Sequence, residues 1–259
     1  MIFFAFEQKI KTKQKNKRGK KMKYEEALKK PFTDLEKLAM GIILGLIPVV
    51  NFTILQGFAM ESSGLGKAKA SKKMPEWKDW TYLFVKGLGA TIVKLIYALP
   101  ALVLLGAGVG IAVGQMLSMM APMMSTQTIG QMMASKIAMN EQIMQVLQQN
   151  WYLIAPAMFT AAPFIVFGLL FALLAAFLSP MAVLNYLSKR NFAAAFDIGV
   201  VIKKAFTTKY ALAWITMLMV GLVLAALLAN VPMIGAAVAV FLLSVISYTL
   251  YGQAFKETK

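Results

Sequence analysis

The sequence predicts an all-α integral membrane protein that has four transmembrane helices, one re-entrant hairpin or fifth span, and interfacial amphipathic helices. Three observations predict this fold class. The chain of 259 residues is 59% hydrophobic and 15% charged, whereas soluble globular proteins carry about a quarter charged residues. Its apolar residues gather in runs that are long enough to cross a bilayer. Its 27 basic residues flank those runs, as they do in membrane proteins that obey the positive-inside rule.

The first 21 residues form a basic tail that we predict to be disordered. They combine a short apolar start with a run of lysines, which is the reverse of the order in a signal peptide. Residues 18–22 are what a purine-rich ribosome-binding site, a short spacer and a start codon would encode. We therefore hypothesise that residues 1–21 are not translated natively, and that residues 22–259 form a single polytopic membrane domain. A peptide from residues 1–21 in native protein would refute this hypothesis.

The first apolar run covers residues 38–60 and is broken near its centre by Pro48 and Asn51. Both of its flanks are basic, so a single crossing would place one basic flank on the wrong side of the membrane. A re-entrant hairpin that turns at Pro48 and Asn51 removes this conflict, and its turn would have to be buried against the other helices. We predict the hairpin, and a fifth full span with an outside N-terminus stays open as the alternative.

A stretch with membrane-interface character follows at residues 75–95. Pro75 suits the first turn of a helix, and aromatic residues recur at three- and four-residue steps on one face. Indole rings favour the headgroup level of a bilayer, and lysine side chains extend toward the phosphates. We predict an amphipathic surface helix that leads into a span. Its membrane-interface residues are Trp77, Trp80, Phe84 and Lys86.

Four further apolar runs predict the full spans. They cover residues 95–117, 151–178, 210–229 and 233–255. In the first of them, Gly106, Gly110 and Gly114 repeat every four residues and would place bare backbone on one face for helix packing. The alternative is that small residues are simply common in such helices. Trp151 and Tyr152 are predicted to anchor the second span at the membrane interface.

Two further segments are predicted to lie along the membrane surface. The methionine- and glutamine-rich residues 118–150 fit an amphipathic helix that rests on the opposite surface or pairs with another copy. Phe192 and Phe196 precede the last two spans with the same spacing as Trp80 and Phe84 before the first two. We therefore predict a second interfacial helix, with Phe192 and Phe196 at the membrane interface.

The distribution of basic residues predicts the topology. Residues 115–150 hold one of the 27 lysines and arginines, and the other 26 fall in segments that can share one side of the membrane. By the positive-inside rule, that side is the cytoplasm. We expect a multi-pass protein of the cell membrane whose N- and C-termini are both cytoplasmic.

Several short motifs resemble those of a known family. They are PEWKDW at residues 75–80, LIYALP at residues 95–100 and YGQAF at residues 251–255. With these motifs the chain resembles a prokaryotic, largely archaeal, membrane family that is catalogued only as the domain of unknown function numbered four thousand and thirteen. The resemblance extends from about residue 22 to the C-terminus. It implies a multi-pass membrane protein and supplies no reaction and no catalytic residue.

The composition argues against an enzyme. The chain has no cysteine and no histidine, which removes the usual general base, the thiol nucleophile and the commonest metal ligands. No nucleotide-binding, hydrolase or metalloprotease motif is present. We expect no catalytic residue, no cofactor and no metal. The net charge of +16 would suggest nucleic acid in a soluble protein. Here we expect anionic lipid as the partner and no nucleic acid.

The function that we predict is that of a non-enzymatic scaffold or accessory subunit that engages anionic lipid. Partner proteins and a second copy of the chain are further candidates for binding, and a passive transporter or channel subunit is the alternative function. Four polar residues bear on this choice, because they could line a solute path or bond between helices: Asn51, Gln56, Asn185 and Gln253. We favour bonds between helices.

Overall fold

A computed structural model describes residues 22–68, 72–120 and 151–257 of the chain. Within these ranges the chain forms helices and turns and no strand, so the predicted all-α fold is confirmed. Four of the helices are long and apolar enough to cross a membrane, as predicted. The predicted disordered tail and most of the predicted surface helix at residues 118–150 lie outside the described residues.

The described helices comprise a bent pair near the N-terminus, four long spans, and short helices before and between them. Two 3₁₀ turns, Lys30–Thr33 and Phe192–Phe196, accompany the short helices. The helices are α1 (Tyr24–Lys29), α2 (Leu35–Gly45), α3 (Pro48–Glu61), α4 (Trp80–Met120), α5 (Trp151–Lys189), α6 (Ile198–Ala205), α7 (Thr208–Leu228) and α8 (Pro232–Glu257). The four predicted spans correspond to α4, α5, α7 and α8.

The first apolar run is the bent pair of helices α2 and α3. α2 begins after Asp34, whose carboxylate accepts a hydrogen bond of 3.1 Å from the Lys37 backbone N–H. The chain then bends by 119° between α2 and α3. Pro48 explains the bend, because its ring disfavours a helical conformation at the residue before it, and Ile47 is indeed extended. A π-helical turn at Asn51–Leu55 follows within α3.

The two ends of this bent pair lie at the same level. The Lys37 ammonium, at the start of α2, lies 2.7 Å from the carboxylate of Glu76, which precedes α4. Lys30, before α2, donates a hydrogen bond of 2.8 Å to the Ser62 carbonyl at the end of α3. A single straight crossing would separate these flanks by about 30 Å. The contacts and the bend exclude a straight crossing and agree with the predicted re-entrant hairpin, and the bent pair is called the hairpin below.

Glycines let the hairpin approach α4 closely. A Cβ atom on Gly57 of α3 would overlap the Leu83 carbonyl oxygen of α4, and one on Gly87 of α4 would overlap the Thr53 carbonyl oxygen of α3. Glycine in a helix costs about 0.5–1 kcal/mol relative to alanine, and the close packing of the two helices offsets that cost. The second half of α3 is thereby buried against α4. The turn around Pro48 is instead exposed in the described part of the chain, with Ile47 48% and Val49 70% exposed, so the predicted burial of the turn against the other helices is wrong.

The described chain divides into two compact units. The first holds the residues up to Leu95 and those from Phe177 onward, and the second is Ile96–Ala176. In the first unit the hairpin packs on α8, where the Phe241 ring occupies the space that a side chain on Gly41 would need. Large side chains in the core of this unit are almost fully buried: Leu55, Phe58, Met60, Met181, Leu184, Tyr210, Phe241 and Leu250.

In the second unit, α4 and α5 pack through glycines other than the predicted ones. A Cβ atom on Gly108 would lie 2.8 Å from the Ile165 side chain, and one on Gly168 would lie 2.7 Å from the Leu105 side chain. Three glycines have nothing within 4 Å in the described part of the chain: Gly106, Gly110 and Gly114. They face away from this contact, because steps of two and six residues from Gly108 rotate the direction of a helix side chain by about 200° and about 240°.

The surface helix predicted at residues 75–95 is wrong for residues 75–79, because α4 begins only at Trp80. Asp79 has a left-handed conformation with φ 58°, and its carboxylate accepts a backbone hydrogen bond of 3.3 Å from the first turn of α4. The indole of Trp77 stacks on the Phe58 ring of the hairpin with centroids 3.7 Å apart. The segment before α4 is therefore held by tertiary contacts with α3 instead of continuing the helix.

The second predicted interfacial helix consists of two short pieces. The 3₁₀ turn begins after Asn191, whose side chain accepts a hydrogen bond of 3.1 Å from the Ala193 N–H. α6 begins after Asp197, whose carboxylate accepts one of 3.3 Å from the Val200 N–H. Both side chains cap a helix start in the usual way for asparagine and aspartate.

Candidate functional site

Basic segments from distant parts of the first unit meet at the end of α3. Lys256 donates hydrogen bonds of 3.0 and 2.9 Å to the Ser63 and Gly64 carbonyls, and Lys30 binds the Ser62 carbonyl beside them. Cations at these carbonyls satisfy the end of the helix and complement its dipole. Burial, and then repulsion by Lys256, lowers the pKa of Lys30 to about 8.

A basic cluster of three cations and two tyrosines lies near this helix end: Lys67, Tyr82, Lys86, Tyr186 and Arg190. Lys86 follows Tyr82 by about one turn of α4, and Arg190 follows Tyr186 just past the end of α5. The Lys86 ammonium lies 4.5 Å from the ring centroid of Tyr186 and 5.9 Å from that of Tyr82. The Lys67 ammonium lies 4.1 Å from the Tyr82 centroid. These are the distances of cation–π interactions.

A buried carboxylate fixes the geometry of the basic cluster. Glu61, 5% exposed, accepts hydrogen bonds of 2.8 Å from the Tyr82 hydroxyl and 2.6 Å from the Ala68 N–H. Lys67 binds Asp79 over 2.5 Å, and this hydrogen bond lowers the pKa of Asp79. Glu61 and Asp79, the two carboxylates beside the cluster, thus already have hydrogen-bond partners. Lys86 and Arg190 form no hydrogen bond with either of them.

Lys86 and Arg190 are like charges held near each other. Arg190 is close enough to interact electrostatically with both Lys86 and Tyr82, and Lys86 is also close enough to be attracted by the Glu61 carboxylate. In the ranges that the structure describes, neither cation forms an ion pair with a carboxylate. Arg190 also has a left-handed conformation with φ 52°, which costs roughly 1–2 kcal/mol in a residue with a Cβ atom. Concentrated positive charge of this kind attracts an anion.

The predicted interface residues on α4 and before it differ in exposure. Trp80 and Phe84 are 40% and 39% exposed, as an interface position requires. Trp77 is instead partly buried, and its indole N–H donates a hydrogen bond of 3.4 Å to the Lys37 carbonyl. Lys86 belongs to the basic cluster.

The other predicted interface residues lie on and before the second half of the chain. Phe192 is 40% exposed, and its ring lies 5.5 Å from that of Phe196 and 5.8 Å from that of Tyr186. Trp151 and Tyr152 begin α5, and their side chains lie outside the described part of the structure.

Sequence reasoning missed Tyr82, Tyr186 and Arg190. A signal was present, because Tyr82 and Lys86, like Tyr186 and Arg190, are four residues apart, the spacing of neighbours on one helix face. What the spacing does not indicate is that the start of α4 and the end of α5 come together. That contact depends on tertiary packing.

The polar residues that could line a solute path all form hydrogen bonds within the protein. These bonds join Asn51 to the Gly45 carbonyl (3.4 Å), Gln56 to the Tyr248 hydroxyl (2.5 Å), Asn185 to the Ala194 carbonyl (2.7 Å) and Gln253 to the Lys23 N–H (2.8 Å). The last three connect separate elements, which is the role that we predict for them. Across the described ranges, no group of three or more carboxylates is placed to hold a metal ion.

The comparison with known families identifies this chain. A family described as "Protein of unknown function (DUF4013)" matches residues 40–233. The chain belongs to the DUF4013 family. The match includes the motifs PEWKDW and LIYALP and ends before YGQAF. No curated protein and no solved structure matches the chain.

Proposed function

We propose that this DUF4013 protein is a non-enzymatic membrane component, a scaffold or accessory subunit, that holds anionic lipid at the basic cluster. The observation that carries the proposal is the pair of cations Lys86 and Arg190, which lie near tyrosine rings. Within the described ranges, neither cation is bonded to a carboxylate. A lipid phosphate is the anion that a membrane surface supplies to such a site.

The side chains of the basic cluster suit a phosphate. The Arg190 guanidinium can donate two parallel hydrogen bonds to phosphate oxygens, and the Lys86 ammonium supplies a point charge. The rings of Tyr82 and Tyr186 are amphipathic and fit the level of the headgroups. One bound phosphate would relieve the repulsion between the two cations and would hold the end of α5 against the start of α4.

The charge distribution supports an orientation with the basic cluster in the cytoplasm. Segments before α2, between α3 and α4, after α5 and at the end of α8 carry most of the basic residues, and those of the first unit contact one another. By the positive-inside rule, this end faces the cytoplasm of the cell membrane together with both termini. A protein partner with an acidic surface, or a second copy of the chain bridged by lipid, is part of the same proposal.

A passive transporter or channel subunit is the second candidate function. The re-entrant hairpin favours it, because interrupted helices at membrane depth often line solute paths. Against it, the side-chain amides of Gln56 and Asn185 form hydrogen bonds with other elements of the protein, and those bonds compete with contacts to a solute. Solute flux through proteoliposomes that disappears on Gln56→Ala would favour this second candidate over the scaffold.

The lipid proposal is tested by lipid competition on the purified full chain. Native mass spectrometry in mixtures of phosphatidylglycerol and phosphatidylcholine gives the preference for the anionic lipid. A hydrogen bond to a charged group contributes about 1.5 kcal/mol or more, so Lys86→Gln and Arg190→Gln should each lower the preference about tenfold, and the double variant about a hundredfold.

The matched control is Lys203→Gln, which removes an exposed lysine from α6. It should change the preference less than twofold. A double variant with wild-type preference, or a control that loses as much as Lys86→Gln, would contradict the proposal, because specific binding at the basic cluster requires the loss to be local.

A further inference from the structure

A second cation lies deeper in the protein than the basic cluster. Lys94 of α4 is partly buried, and its ammonium lies 5.6 Å from the ring centroid of Tyr248 on α8. Tyr248 precedes Lys256 by eight residues of one helix, which is about 12 Å along the helix axis. Lys94 is therefore displaced from the basic end toward the apolar part of the spans, where an ionised group needs a compensating partner.

The donors around Lys94 outnumber the acceptors. Gln56 of α3 donates a hydrogen bond of 2.5 Å to the Tyr248 hydroxyl oxygen, and the hydroxyl hydrogen then has no acceptor among the described residues. If the Gln56 amide is turned over, its oxygen accepts the hydrogen bond from the Tyr248 hydroxyl, and the Gln56 N–H groups are then the donors without an acceptor among the described residues. Lys94 adds three N–H donors and forms no ion pair within the described part of the chain.

The two threonine hydroxyls near Lys94 act as donors to backbone carbonyls, so their hydrogens are not directed at an anion and their donation does not supply an acceptor for Lys94. Thr91, one turn before Lys94, donates its hydroxyl hydrogen to the Phe52 carbonyl of α3. Thr53 donates to the Val49 carbonyl over 2.7 Å. The contact of Thr91 with Phe52 and that of Gly87 with Thr53 set the antiparallel register of α3 and α4, in which Lys94 lies near the level where α3 begins. The positive end of the α3 dipole therefore reinforces the charge of Lys94.

We propose that Lys94, Tyr248 and Gln56 form a binding site for the carboxylate of a long-chain amphiphile within the bilayer. The single negative charge of a carboxylate matches the single positive charge of the Lys94 ammonium. The carboxylate oxygens can also accept hydrogen bonds from the donors of Lys94 and of the Gln56–Tyr248 pair that have no other acceptor. The neighbours of Lys94 on α4 provide a lipid-facing surface for the chain: Ile92 is 40% exposed and Leu95 is 54% exposed. A phospholipid headgroup would stay at the basic cluster, and a hydrated inorganic anion would lose more solvation on entering.

The test uses the full chain in phosphatidylcholine nanodiscs, which contain no anionic lipid. Palmitate is added, and saturable binding is followed by the rise in the temperature of thermal unfolding. Hexadecanol and hexadecyltrimethylammonium serve as neutral and cationic probes of the same chain length. Only palmitate should raise the temperature saturably.

The variants locate the site. Lys94→Met should weaken palmitate binding about tenfold or more, and Tyr248→Phe should weaken it about tenfold, since one hydrogen bond to the charged carboxylate is lost. Lys94→Arg keeps the charge and should bind palmitate even if Lys94→Met fails to fold. Lys86→Gln should bind palmitate like the wild type. Stabilisation by hexadecanol equal to that by palmitate would overturn the proposal, as would undiminished binding by Lys94→Met or loss of binding in Lys86→Gln.

Discussion

Replacing Gly87 with alanine perturbs the contact that packs α3 of the hairpin against α4. A Cβ atom there would lie 2.8 Å from the Gly57 backbone nitrogen and would overlap the Thr53 carbonyl oxygen. Carbon requires about 3.3 Å from a polar backbone atom, so α3 and α4 would have to separate by at least about 0.5 Å. No change of rotamer can relieve contacts with backbone atoms. We expect Gly87→Ala to lower the free energy of unfolding by about 3 kcal/mol, the upper end for overpacking.

Gly110→Ala is the matched control, because it makes the same substitution in the same helix. Nothing among the described residues lies within 4 Å of its Cβ position, so only the flexibility of glycine in the unfolded chain changes. We expect Gly110→Ala to be neutral or to stabilise by up to about 1 kcal/mol. The assay is thermal unfolding of the purified full chain in detergent, followed by tryptophan fluorescence. If Gly87→Ala melts no lower than Gly110→Ala, the close packing of α3 on α4 is refuted.

Three further predictions concern the same end of the protein. Because burial lowers the pKa of Lys30 to about 8 from an ordinary value of 10.5, the unfolded chain binds more protons between these pH values. The free energy of unfolding should therefore rise with pH across this window by up to about 3 kcal/mol. Thermal scans of Lys30→Met should lack this rise. If the stability of Lys30→Met rises as steeply with pH as that of the wild type, the burial of the Lys30 ammonium is contradicted. Trp77→Ala should lower the free energy of unfolding by about 3 kcal/mol. The control Phe84→Ala, at an exposed position, should lower it by less than about 1 kcal/mol. Equal losses in denaturant titrations would show that the stack of Trp77 on Phe58 does not stabilise the fold. Tyr82→Phe leaves the buried Glu61 carboxylate one donor short and should cost about 1–3 kcal/mol in the same titrations, so an unaffected midpoint would rule out that hydrogen bond.

The sequence predicted the spans and the break near Pro48 because both depend on composition along the chain. Apolar runs mark the spans without reference to any contact. The hairpin followed from the basic residues on both flanks of the run around Pro48, since charge fixes the side of a flank whatever its partners are. The structure adds which residues join the flanks, such as Lys37 and Glu76.

The sequence did not predict the start of α4 or the packing glycines, because both depend on tertiary contacts. Pro75 would suit a helix start, but the stack of Trp77 on Phe58 holds the chain in another conformation. The regular four-residue repeat around Gly110 indicates a face of small residues without indicating what that face meets. The packing between α4 and α5 uses Gly108 instead, and no spacing in one segment reveals the shape of its partner.

Chemical labelling of single cysteines tests the re-entrant hairpin most directly, because the chain has no native cysteine. Phe32→Cys and Lys72→Cys place a thiol at an exposed position on each flank of the hairpin, and Asn230→Cys marks the turn between α7 and α8. A membrane-impermeant maleimide applied to sealed vesicles should reach positions 32 and 72 from the same side, and position 230 from the other side. Labelling of positions 32 and 72 from opposite sides would show that residues 38–60 cross the membrane once, and would contradict the re-entrant hairpin.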